Sequence, residues 1–240
     1  MPPPKRLSLE RRTVTVGDHT VNTAQFRRKL IAWGQKHFRP LPWRLTKNPY
    51  RILIAEVMLH RTQAQQVVPI YAKFVESYQD VSTLAQARKK DLHRMLYSLG
   101  LRWRIDLIHA MSVKLTRQLG GRIPRKKVDL LSLPGVSEYI ASAVRCFAWN
   151  ESEPLIDTNT VRVVGRVFGL EVKDSSRRNR LFRELIEFLV DPNEPRAYNY
   201  ALLDLADQVC MKKRAPECVK CPIQKHCVYG TRALAHKGIT

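Results

Sequence analysis

The sequence predicts an all-α fold, on three observations. Apolar residues recur at intervals of three and four along most of its 240 residues. Alternating, strand-like runs are sparse, and Pro and Gly fall between the periodic stretches rather than inside them. Residues 1–20 are polar, basic and Pro-bearing, and are expected to form a flexible N-terminus. Asn22 is placed to cap a helix through TAQFRRKLIAWGQKHF, on which Phe26, Leu30 and Trp33 follow at i, i+4 and i+7. RPLPWRLTKNPY reads as a Pro-punctuated loop. YRILIAEVMLHRT, starting at Tyr50, is helical by period, and QAQQVVPIYAKFVESY continues as another helix. Further helices are expected over 82–99, 104–119 and 127–132, the last ending at Pro134-Gly135, with the next over 137–149. ESEPLID is a connection. DTNTVRVVGRVFGL reads as a capped helix closed by Gly169, and two more helices fit 175–190 and 195–209 ahead of a cysteine loop.

Charge narrows the partner. Lys and Arg total 42 against 21 acids, a formal net charge of +21. An excess that large marks an anionic polymer as partner. The basic residues are spread through the chain rather than gathered on one amphipathic helix, so nucleic acid leads over a membrane surface. No apolar run is long enough to span a bilayer. The opening MPPPKRLSLERR lacks the apolar core of a signal peptide, so an intracellular protein is expected.

Four segments carry chemistry. Cys210, Cys218, Cys221 and Cys227 are spaced C-x7-C-x2-C-x5-C. In a reducing compartment such a cluster reads as metal ligation, by Zn²⁺ or by [4Fe–4S]. One compact loop with a single C-x2-C knuckle fits a cubane better than zinc's paired knuckles. The lone Cys146 reads as core. In LPGVSEYIASAV, Gly135 can take a positive φ and admits close approach, and a helix starts directly after it. Consecutive amides at a helix N-terminus bind anions, which in a basic chain means phosphate. Glu56 falls on the apolar face of its helix, where a carboxylate is paired, protonated or functional, and where burial raises its pKa toward general-acid work. Asp157 precedes TNTVRVV as an N-cap, which also holds a carboxylate fixed.

Taken together, LPWRLTKNPYRILIAEVMLHRTQ, LPGVSEYIASAV, IDTNTVRVVGRVFG and the cysteine loop stand in the order found in one family. Over roughly 25–230 the sequence resembles the helix-hairpin-helix DNA glycosylases related to endonuclease III. It is most similar to the branch holding the adenine-mismatch and archaeal G·T-mismatch thymine glycosylases. The resemblance implies two helical lobes with the site in the cleft between them. One is a central lobe, 49–160; the other joins 21–48 to 161–240 and carries the cluster. It implies that amides around Gly135, Val136 and Ser137 grip phosphate while the target nucleotide flips, and that His60 and Arg61 enter the gap it leaves. Asp157 then stabilises charge developing on the deoxyribose, and Glu56 protonates the leaving base. The four cysteines would hold [4Fe–4S] and position Lys212, Lys213 and Arg214 against the backbone of double-stranded DNA. A monomer is expected.

Tyr139 falls where bifunctional relatives carry a lysine that forms a Schiff base, and where the thymine-mismatch branch carries tyrosine. A phenol cannot form an imine, so a monofunctional enzyme follows, removing thymine or uracil opposite guanine. The rival is an adenine glycosylase acting at A·G or A·8-oxoguanine. Tyr139 speaks against it, as does an end near residue 240 that leaves no room for the extra C-terminal domain of such enzymes. A different damaged base is a third possibility, and a non-catalytic DNA-binding module is a further alternative, opposed by the presence of both acids. The sequence departs from the family in having Ser137 for a second hairpin glycine, and one residue more in the first cysteine interval.

Overall fold

The computed structural model describes residues 6–10, 12–100 and 102–235. The chain divides into two compact units, Met1–Arg39 with Ser152–Thr240, and Pro40–Glu151. In chain order the described strands are β1 (Leu7–Glu10), β2 (Thr13–Val16) and β3 (His19–Asn22). The first helices are α1 (Thr23–Lys36), α2 (Pro49–Leu59), α3 (Ala64–Ser77), α4 (Val81–Ala85), α5 (Lys89–Leu96) and α6 (Arg102–Leu119). They are followed by α7 (Lys127–Leu131), α8 (Glu138–Trp149), α9 (Thr158–Phe168), α10 (Arg180–Leu189), α11 (Pro195–Gln208) and α12 (Val228–Ala235). The fold is all-α apart from the small sheet. Among the described residues no helix is long and apolar enough to cross a membrane.

In the first unit, the residues expected to be a flexible N-terminus are instead built, where described, into an antiparallel sheet of order β1-β2-β3. The cause is a two-residue alternation in TVTV. Val14 and Val16 are buried with Val21 of β3, while Thr13 and Thr15 face outward. Strands of four residues leave at most two apolar positions each, too few to stand out from a basic, Pro-bearing background. Asn22 caps α1 by accepting from the Gln25 amide at 2.9 Å, as its position predicts. A Cβ on Gly34 would stand 2.3 Å from the Ala201 Cβ, so α1 and α11 meet almost backbone to backbone. Around that seam, Phe26 and Leu30 pack with Val164, Phe168, Leu185, Leu189 and Leu205 into one core. Arg39 pins the end of this segment, its Nε 2.5 Å from Oδ1 of the fully buried Asp204. The helix expected over 175–190 begins only at Arg180, where the Asn179 side chain accepts from the Leu181 amide.

In the second unit, α2 is buried from Ile52 to Met58 on every face, which makes it the central helix. Tyr50 closes its first turn, its hydroxyl donating to the Tyr78 carbonyl at 2.7 Å. The helix expected over 82–99 is two helices, because α4 stops at Ala85 and α5 starts at Lys89. Helix α6 turns Ile105, Ile108, Met111 and Leu115 inward. The short α7, the turn at Pro134-Gly135 and α8 form the helical hairpin. Cys146 is fully buried in α8, in keeping with its reading as core.

Candidate functional site

The hairpin turn takes its shape from one glycine. Gly135 has φ +79°, in the left-handed region, and a Cβ there would lie 3.2 Å from the Leu107 Cβ of α6. The Val136 amide returns to the Leu133 carbonyl at 3.2 Å, closing the turn. Ser137 then caps α8, its hydroxyl accepting from the Ile140 amide at 3.3 Å. A second glycine here would leave that amide without this side-chain acceptor, so the departure at Ser137 has a local structural use. Tyr139 stands in the first turn of α8 and is partly exposed. The turn and the helix start therefore present exposed Gly135, exposed Ser137 and the Tyr139 ring within five residues. The positive end of the α8 dipole points the same way and favours an anion.

The end of α2 meets this turn. Glu56 is only 5% exposed, on the buried helix next to Val57. Just past the helix, His60 and Arg61 are exposed, and Arg61 has φ +62°, a conformation seldom adopted by a side chain of its size. Arg104 holds this strained corner in place. Its Nη1 donates to the Val57 carbonyl at 2.6 Å, and its Nη2 donates to the carbonyl of His60. These are carbonyls that a helix C-terminus otherwise leaves without partners. Burial, followed by the nearby Arg61 charge, lowers the Arg104 pKa to about 10. Trp103 is half exposed and meets His60 edge-on at 6.4 Å. A cavity of about 260 Å³ collects Val57, His60, Trp103, Arg104, Gly135, Val136 and Ser137 along its walls. The structure thus brings together the hairpin residues and His60, which the sequence treats as separate motifs.

In the other unit, Asp157 caps α9 through a full capping box. Its Oδ1 accepts from the Asn159 and Thr160 amides at 2.8 and 2.7 Å, and the Thr160 hydroxyl accepts from the Asp157 amide at 3.0 Å. Its Oδ2 accepts from the Asn159 side-chain amide at 2.8 Å, so both carboxylate oxygens are held. From there a chain of bonds leads to the cysteine loop. Arg162 donates to the Asn159 Oδ1 at 3.0 Å and, through Nε, to the Cys210 carbonyl at 3.0 Å. Arg166 donates to the Cys210 carbonyl and to its sulfur, both at 3.1 Å. Asn159, Arg162, Arg166, Trp103 and Arg104 are the residues sequence reasoning passed over. Arginines at i and i+4 on a valine-rich helix were a readable signal for two of them.

None of the five cysteines is joined in a disulfide. Among the described residues, no three His, Cys, Asp or Glu side chains are arranged to hold a metal ion. The donor chemistry of the loop nevertheless suits a cationic centre. Burial first, then the charges of the neighbouring cysteines, pushes the Cys221 thiol up to about 12. Cys227 is pushed up to about 11 by burial and by Cys210 and Cys218. Cys221 and Cys227, shielded from water and beside the other cysteines, are costly to ionise without positive charge among them. Donors are also in place, with the Gly230 amide 3.3 Å from the Cys227 sulfur beside Arg166 on Cys210.

The profile of the HhH-GPD superfamily of base excision DNA repair proteins matches residues 54–188. Over 217 residues the chain is 37% identical to a thymine/uracil-DNA glycosylase of Pyrobaculum aerophilum, spanning 87% of this chain and 93% of that protein. It is 32% identical to an adenine DNA glycosylase of Rattus norvegicus, over 84% of this chain but 41% of the rat protein. A solved structure of a thermostable thymine-DNA glycosylase superposes with a TM-score of 0.81 at 32% identity, over 88% of this chain and 97% of that one.

Proposed function

Because the chain belongs to the HhH-GPD superfamily of base excision DNA repair proteins, we propose that it is an intracellular, monofunctional DNA glycosylase that excises thymine or uracil opposite guanine. The bond between the base and the deoxyribose breaks with its electron pair leaving on the base. Positive charge then develops on the sugar. Asp157, with both oxygens held at the head of α9, supplies a fixed negative charge for that step and orients the attacking water. Glu56, 5% exposed, gives a proton to the departing base. The water adds to the sugar and loses a proton, leaving a free base and an abasic site.

The observation that carries the monofunctional reading is Tyr139, in the first turn of the hairpin helix. A Schiff base needs an amine, and a phenol offers none. Its flat ring suits stacking on a base or packing against the sugar. Gly135, Val136 and Ser137 grip a phosphate through the turn, and His60 and the strained Arg61 enter the duplex where the nucleotide has left. Cys210, Cys218, Cys221 and Cys227 hold a [4Fe–4S] cluster, with zinc the lesser fit. When bound, such a cluster would cross-link the loop that carries Lys212, Lys213 and Arg214 and offset the buried thiolates. The hydrogen bonds through Arg162 and Asn159 tie that loop to Asp157.

A panel of end-labelled duplexes tests the assignment, with T·G, U·G, A·G and A·8-oxoguanine pairs run with and without alkali. Excision at T·G and U·G, seen as strand breaks only after alkali, is the expected result. Turnover confined to adenine would assign the chain to the rival branch, and breaks without alkali would remove the role given to Tyr139.

A further inference from the structure

Helix α6 carries a surface that the reaction does not use. An open groove of about 530 Å³ runs along it, lined by Lys89, His109, Lys114 and Arg117 together with Ala110 and Val113. Its charge is largely unspent. Among the described residues Arg117 has no carboxylate partner, and Lys114 donates to neutral oxygens, with its Nζ 2.7 Å from the Ser132 carbonyl. Lys89 lies 3.7 Å from Asp106, an exposed acid that also faces His93.

The groove also has a direction. Residues 103, 107, 110, 114 and 117 fall on one stripe of a 3.6-residue helix. At one end Trp103 lines the hairpin cavity and Leu107 abuts Gly135. Lys114 reaches the carbonyl just ahead of the hairpin turn, and Arg117 lies one turn further out. At 1.5 Å per residue, Leu107 to Arg117 is roughly 15 Å. That distance is about four base pairs of rise along a duplex.

We propose that this groove is a second seat for the DNA backbone, taking phosphates about four base pairs beyond those held at the hairpin. The cations that line it meet phosphate oxygens, and the small apolar side chains among them accept deoxyribose edges. This extends the reading of the chain as a duplex-DNA glycosylase, whose substrate must continue past the flipped nucleotide.

The test is binding by fluorescence anisotropy to T·G duplexes shortened one base pair at a time, from each end separately. The wild type is expected to lose affinity several-fold at one step, from one end only. Arg117→Gln and Lys89→Ala, both exposed changes, should abolish that step. Each should lower the slope of log K against log[salt] by about one and leave single-turnover excision at saturating enzyme unchanged. A step and slope unaltered in both variants would overturn the proposal. So would an equal loss on every duplex length, which marks diffuse attraction rather than a seat. Unchanged duplex affinity together with lost binding of a poly-glutamate peptide would assign the groove to an acidic protein segment instead. Failure of the wild type to excise any base would count against the glycosylase reading alone, because the length series reports binding.

Discussion

At the scale of single residues, Asp157 has a structural role as a cap and a proposed chemical one in the same carboxylate. It is the N-cap of α9 and the charge proposed to face the sugar. Asn caps helices about as well as Asp, but the bond from the Asn159 side chain to Oδ2 is lost, so Asp157→Asn should cost only about 1 kcal/mol. Excision should nevertheless fall by a factor on the order of 1000, the scale of losing one preorganised charge. Thermal melting beside single-turnover kinetics separates the two roles. A parallel loss of both would return Asp157 to capping alone. Tyr139 makes a different prediction. Replacing it by lysine puts an amine in the first turn of α8, and borohydride should then trap a protein–DNA adduct that the wild type never yields. No adduct from a folded, excising variant would mean that this position does not reach the sugar.

The next scale is the corner where α2, α6 and the hairpin meet. Arg104 supplies donors to the Val57 and His60 carbonyls. Arg104→Met should therefore cost about 2–3 kcal/mol, the scale of hydrogen bonds made by a buried charged group. A melting curve matching the wild type would show that the strained turn at Arg61 stands without it. Gly135→Ala sets a Cβ against Leu107 in left-handed backbone and should cost about 1–2 kcal/mol. Duplex affinity measured by anisotropy should fall as well, and an unchanged affinity would move the phosphate grip elsewhere. Such corners explain what the sequence made legible. The period of 3.6 exposed the long helices, and Asn22, Asp157, Gly135 and the four cysteines could be read from local pattern. Arg104 could not, because its acceptors lie 44 to 47 residues away in the chain. The sheet hid in strands of four residues, and the α4–α5 break in a stretch whose apolar period runs through it.

For the molecule as a whole, the net charge of +21 makes binding an ion-exchange reaction. Each phosphate contact should add a slope of about −0.9 to log K against log[salt]. A nearly flat plot would remove nucleic acid as the partner. The cysteine loop and Asp157 belong to one hydrogen-bonded unit, and the proposed [4Fe–4S] cluster predicts that a Cys218→Ser variant loses visible absorption and bound iron. Its melting temperature should also drop. Zinc without iron in elemental analysis of the wild type would replace the cluster by a single ion.

The most direct measurement is mass spectrometry of both products after one turnover on a T·G duplex. Free thymine and an intact strand, one base lighter and carrying a sugar hydroxyl in its place, are predicted. A cleaved strand, or a strand of unchanged mass, would contradict hydrolytic excision that stops at the abasic site.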